Sequence, residues 1–145
     1  MKQIILSVIV LMGITLSGNA QKEKKMAPPA AATTAFGKAF PGAEKVKWGK
    51  EKNDYEAEFV LKGKEMSAVY NNNGVLKETE EDIKIAALPS SVITYVKEHY
   101  PKAVIKEAAK ITMPTGEINY EAEVNKKDLI FDASGKFIRE VKDAD

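Results

Sequence analysis

The stretch "YEAEF" (Tyr55–Phe59) is nearly copied later in the same chain as "YEAEV" (Tyr120–Val124). Apolar and acidic residues alternate in both, which predicts strands with Tyr55, Ala57 and Phe59 on one face and Glu56 and Glu58 on the other. The same reading points Tyr120, Ala122 and Val124 one way and Glu121 and Glu123 the other. Two interpretations compete. Either the four glutamates form a site, or the doubled stretch marks a unit built twice.

The flanking residues favour duplication. Before the first copy, Ala32, Ala35, Phe36, Ala39 and Phe40 follow the spacing of an apolar helical stripe. Before the second, Val92, Tyr95, Val96, His99 and Tyr100 do the same. Each stripe runs into proline, in "FPGA" and "YPKA", and the residue before proline disfavours helix. A strand follows each helix. In "EKVKW", Lys45 and Lys47 fall on one side and Val46 and Trp48 on the other; near "VIKEAAKI" the register is ambiguous by one residue. Turning at Lys62-Gly63 pairs Tyr55 with Tyr70, Ala57 with Ala68 and Phe59 with Met66. Turning at Asn125-Lys126 pairs Tyr120 with Phe131, Ala122 with Leu129 and Val124 with Lys127. A fourth strand follows "NNNG" and "DASG", with Leu76 and Phe137 on the core face.

The expected fold class is α+β: a tandem repeat of a helix plus four antiparallel strands, residues 32–84 and 85–145. A unit of about fifty-five residues is near the lower limit for a core of its own. The two are therefore expected to join into one continuous sheet of about eight strands, with both helices on one face and the other face open. Residues 1–20 read as a secretory signal peptide, with Lys2, an apolar run from Ile4 to Leu16 and small residues up to Ala20. An uncleaved anchor is the alternative reading of that segment. Residues 21–31, "QKEKKMAPPAA", read as a flexible lead-in. The expected location is periplasmic or secreted, with no stable membrane anchor after cleavage.

Composition narrows the function. The chain has 22 basic and 21 acidic residues, and the balance becomes even once Lys2 is removed. Such neutrality argues against a nucleic-acid partner, which requires a basic face. With no cysteine, disulfides, thiol chemistry and Cys-ligated zinc are excluded.

The order and duplication of "AFGKAFPGAEKVKW", "YEAEF" and "NNNGVL", then "YVKEHYPKA", "YEAEV" and "DASGKF", resembles the PepSY-like family of beta-lactamase-inhibitor-like exported proteins. The resemblance spans essentially the whole chain after the signal segment. It implies a tandem-repeat sheet similar to that of beta-lactamase inhibitory protein, a periplasmic or extracellular setting and a protein-binding role. This chain lacks that protein's disulfides, and its pattern places most aromatic residues inside.

Candidate chemistry follows from the open face. Glu56, Glu58, Glu121 and Glu123 are expected there, with Val69 across from Glu56, Ile130 across from Glu121, and Lys45 and Lys47 on the neighbouring strand. Cross-strand Lys–Glu pairing accounts for a solvated polar face, each pair contributing about 0.2–1 kcal/mol. Calcium needs six to eight converging oxygens, about what diverging strand glutamates do not supply. His99, the only histidine, falls on the packed stripe and is expected at the rim of the core. No nucleophile or orienting partner accompanies it. Ser90-Ser91 read as helix-start residues, Trp48 as core, and "NNNG" and "DASG" as turns. No phosphate loop, zinc spacing or nucleophile elbow is present.

The expected function is an exported, non-enzymatic binding module that engages an unidentified envelope protein or peptide, with inhibition of that partner as one form of the role. Its binding residues are Lys45, Lys47, Glu56, Glu58, Val69, Glu121, Glu123 and Ile130, with no cofactor and no metal. The alternative is an envelope binder of a small molecule or metal ion using the duplicated glutamates. The oligomeric state is open, because an outer strand ending near Val141 offers unpaired backbone to another chain.

Overall fold

A computed structural model describes residues 27–142. The expected signal peptide, most of the lead-in and residues 143–145 lie outside that range. Helix α1 (Ala30–Ala39) precedes strands β1 (Glu44–Glu51), β2 (Asp54–Leu61), β3 (Lys64–Tyr70) and β4 (Leu76–Asp82). After one 3-10 turn, Ile85–Ala87, the order is repeated by α2 (Ser90–His99), β5 (Ile105–Thr112), β6 (Ile118–Val124), β7 (Lys127–Asp132) and β8 (Phe137–Lys142). The eight strands form one antiparallel sheet in sequence order.

Each helix stops where sequence requires. The N–H groups of Phe40 and Tyr100 close the last turns on the carbonyls of Phe36 and Val96, and Pro41 and Pro101 follow. Helix α1 starts at Ala30, inside the segment expected as lead-in, because Pro29 supplies its N-cap with φ −57°.

The hairpins form in the expected registers. Tyr55 faces Tyr70, Ala57 faces Ala68 and Phe59 faces Met66, while Tyr120 faces Phe131 and Ala122 faces Leu129. Both turns place positive φ at their two central residues, Lys62-Gly63 and Asn125-Lys126. This is the turn geometry whose twist matches that of the flanking strands.

Each half has its own core. The first is aromatic: Phe36 lies 5.0 Å from Phe59, 5.5 Å from Trp48 and 5.4 Å from Phe40, centroid to centroid. The second is largely aliphatic, with Leu88, Val92, Val96, Val124 and Leu129 around Phe131. Under the helices lie cross-strand alanine pairs, Ala57–Ala68 and Ala108–Ala122. Their small side chains let the helices sit close to the sheet, which explains the alanine in both "YEAE" copies. The turn before β4 abuts α1, where a Cβ on Gly74 would lie 2.5 Å from the Ala31 carbonyl oxygen. The turn before β8 abuts α2 in the same way, at Gly135 and Ser91.

The halves join through β4 and β5, from Thr79↔Thr112 to Asp82↔Ala109. The Ile83 N–H extends the seam to the Ala108 carbonyl at 3.0 Å. Strands β1 and β8 are the two edges.

Two sequence expectations change. The alternation through "EKVKW" is broken by a bulge between Glu44 and Lys47, with Lys45 at φ 54°. Lys45 and Lys47 therefore do not belong to one regular alternation, and Val46 is exposed while Trp48 packs on the core. In β5 the bulge lies between Ile105 and Ala108. Its extra residue falls opposite Glu123, whereas that of β1 falls opposite Phe59, and this one-place offset is the source of the ambiguous register.

Candidate functional site

Directly opposed residues in an antiparallel pair share a face, so the register maps the side of the sheet away from the helices. One row crosses seven strands as Lys47–Glu58–Ser67–Glu80–Ile111–Asn119–Asp132. A neighbouring row runs Gly49–Glu56–Val69–Glu78. A third runs Asp82–Ala109–Glu121–Ile130–Arg139, and Glu123–Asp128–Val141 lies beyond it.

Of the expected binding residues, Lys47, Glu56, Glu58, Val69, Glu121, Glu123 and Ile130 lie in these rows. Lys45 sits in the β1 bulge, outside the regular rows. Val69 and Ile130 are only 6% and 3% exposed, although no helix covers this side. Each lies between longer residues on the neighbouring strands, Glu56 and Glu78 for Val69, Glu121 and Arg139 for Ile130.

The rows contain Glu78, Glu80, Asp82, Ile111 and Asn119, which sequence reasoning missed. Counting alternately from the core residue Leu76 sends Glu78 and Glu80 toward the helices. A register shift between Val69 and Tyr70 reverses this: Tyr70 faces Leu76, but Val69 faces Glu78. The signal was the acidic run "ETEED" itself, which is hard to place against a core.

Among the described residues, ion pairs occur on both faces, but one group of carboxylates on the open face has none. On the helix side, Lys64 pairs with Glu81 at 2.6 Å and Lys127 with Glu140 at 2.9 Å, and the Lys50 ammonium lies 3.9 Å from the Tyr55 ring centroid. On the open side, Lys106 reaches Glu123 at 4.0 Å. Among the described residues, Glu56, Glu78 and Glu80 have no ion-pair partner. Burial, with smaller contributions from Glu51, Glu58 and Glu78, pushes the Glu56 carboxyl up to about 7, while the Ser67 hydroxyl acts in the opposite direction. Burial also raises Glu80 well above the carboxylate range, assisted by Glu121, Glu78, Glu56 and Glu51. Asp82 rises to about 6, by burial and then by Glu65 and Glu107. Two buried oxygens on the same row, Ser67 Oγ and Asn119 Oδ1, have no well-formed hydrogen bond.

The remaining candidates resolve locally. His99 is exposed rather than at the core rim. Its ring stacks on Tyr95 at 3.9 Å, with Nδ1 3.0 Å from the Tyr95 carbonyl oxygen. Ser91 Oγ donates to the Ser134 carbonyl oxygen, tying α2 to the turn before β8. Asn71 Oδ1 accepts the N–H groups of Asn73 and Val75, and Asp132 Oδ1 accepts those of Ser134 and Lys136. "NNNG" and "DASG" are therefore side-chain-closed turns. Among the described residues, no three His, Asp or Glu side chains converge as a metal centre. None of the described helices is long and apolar enough to cross a membrane.

Residues 53–139, from the first hairpin to the last strand, match the family described as "Putative beta-lactamase-inhibitor-like, PepSY-like". The chain belongs to the PepSY-like family. Solved structures repeat its fold. A BLIP-like protein of Bacteroides fragilis is 26% identical with a TM-score of 0.62, covering 83% of this chain and 91% of its own. A DUF2874 family protein of Bacteroides uniformis is 19% identical with a TM-score of 0.68, covering 79% and 88%. A protein of Bacteroides eggerthii described as a "putative periplasmic" protein is 18% identical with the same TM-score of 0.68 and the same coverage. No curated protein matches this PepSY-like chain in sequence. For a PepSY-like sheet, the open face is the surface that the helices leave available.

Proposed function

We propose that this PepSY-like chain is a non-enzymatic binding module of the cell envelope, periplasmic or secreted, that engages a protein or peptide partner through the open sheet face. The group of carboxylates without ion pairs carries this reading. On the helix side Glu81 and Glu140 are neutralised by lysines, whereas Glu56 and Glu80 sit near Glu78 on the open face, where burial opposes their ionisation. Burying unpaired carboxylates is unfavourable, so folding alone gives no reason to group them. A partner that supplies the compensating groups does. Inhibition of the partner is the finer form of the role, supported by the family's description.

Affinity capture from envelope extracts tests the surface. The tagged chain is expected to retain a partner that is lost when Lys45, Lys47, Glu56, Val69, Glu121 and Ile130 are all changed to alanine. Retention of every partner by that folded variant would remove the open face from the account. If a captured partner is an enzyme, its activity in the presence of the chain decides whether binding inhibits it.

A further inference from the structure

The chemistry of the open face specifies its partner more narrowly, and this inference rests on the surface assignment above. The middle of the face presents acceptors. Glu80 lies at the seam between the halves, with Ser67 beside it on β3 and Ile111 then Asn119 on the other side. Asn119 is 9% exposed and its Oδ1 receives no hydrogen bond. A buried amide oxygen without a donor is uncommon in folded proteins, and each instance calls for an explanation. Glu56 and Glu78, on the adjoining row, add two more carboxylates that no lysine neutralises among the described residues. What these groups have in common is a need for N–H donors.

We infer that the partner presents a basic segment, with arginine side chains laid on the row Ser67–Glu80–Ile111–Asn119. Arginine fits this row better than a compact cation. Its guanidinium has five N–H donors in a planar fork, no acceptor, and weak hydration. It can serve a carboxylate and an amide oxygen together, while its methylene stem lies on Ile111, which is apolar and buried. Calcium requires oxygens that converge, and among the described residues no metal-binding group is present. The chain's near-neutral total charge makes this attraction local to one face.

Titration of the purified exported chain with a synthetic arginine–serine peptide, near neutral pH and at low salt, tests the inference. The citrulline version of the peptide, spermine and calcium chloride serve as comparison ligands. The arginine peptide is expected to bind one to one, and the citrulline peptide, which keeps the shape and loses the charge, to fail. A bound guanidinium displaces the proton that burial keeps on Glu80, and Glu80→Gln, which cannot ionise, is expected to weaken binding by about tenfold or more, the loss of a charge-assisted hydrogen bond. Asn119→Asp, which adds a carboxylate to the row, is expected to tighten it. Glu98→Gln, on exposed α2, is expected to leave it unchanged. Melting curves establish that each variant is folded.

Failure of the arginine peptide to bind overturns the inference, as does equal weakening by Glu98→Gln and Glu80→Gln. Calcium or spermine binding that Glu80→Gln abolishes, without peptide binding, assigns the row to a small cation and overturns it as well. A chain that captures a partner through its open face yet ignores the arginine peptide refutes this inference and leaves the surface assignment standing.

Discussion

Glu56 is 8% exposed on a face that no helix covers, and its carboxyl group titrates near 7 instead of 4.5. Asp82, raised from 3.8 to about 6, behaves similarly. Between the two values each folded-state group holds a proton that the unfolded chain releases. Stability therefore falls as pH rises from about 4.5 through about 7 for Glu56. Urea denaturation is expected to give a lower midpoint at slightly alkaline than at mildly acidic pH. Glu56→Gln removes the ionisable group, so it should flatten this dependence and stabilise the alkaline form by up to about 3 kcal/mol. An unchanged pH slope in that variant would refute the assignment of the shift to Glu56. Glu80→Gln is expected to act in the same direction, since burial also raises that carboxyl well above its ordinary range. The identity of the open-face glutamates at 56, 58, 121 and 123 was legible from alternation. The burial of Glu56 was not, because it depends on neighbours in other strands.

At the level of the elements, the two turns before β4 and β8 hold the helices against the sheet. Gly74 and Gly135 have φ of 76° and 80°, and a Cβ on either would meet the neighbouring helix start. Gly74→Ala and Gly135→Ala combine an unfavourable backbone conformation with a clash, and each is expected to lower stability by roughly 1–3 kcal/mol. Gly74→Ala is the more severe, since it meets the backbone of Ala31, whereas Ser91 can turn its hydroxyl away. A Gly74→Ala melting temperature equal to wild type would contradict the packing described. Ala57→Leu, beneath α1, should cost a similar amount by overpacking the space under the helix. Helices, hairpins and the core faces of the hairpin strands were readable, because each depends on local spacing and on turns within a few residues, whereas Val46 and His99, expected at the core, are exposed. The bulges were not. A single extra residue at Lys45–Val46 or after Leu76 costs little in the sequence pattern, yet it reverses which side every later residue takes. That reversal hid Glu78, Glu80 and Asp82, the part of the candidate site with the strongest electrostatics.

Across the whole molecule, two small cores share one sheet, joined by a short seam between β4 and β5. The helices close one side and leave the other open, an arrangement that the order of elements already implied. The grouping of Glu56, Glu78 and Glu80 on the open side became visible only with the complete register. It predicts a salt-sensitive partner complex, because charges on an open face are screened over about 10 Å or less at moderate ionic strength. A partner whose affinity is indifferent to salt would argue for the aliphatic residues alone. The central claim is that the open face, and not the helical face, meets the partner. The most direct measurement is site-specific photo-cross-linking in the cell envelope, with the photoreactive residue placed in turn at Glu58, Glu78 and Arg139 on the open face and at Thr94 and Glu98 on α2. Adducts from the open-face positions and none from α2 are the predicted result; adducts from α2 with none from the open face would contradict it.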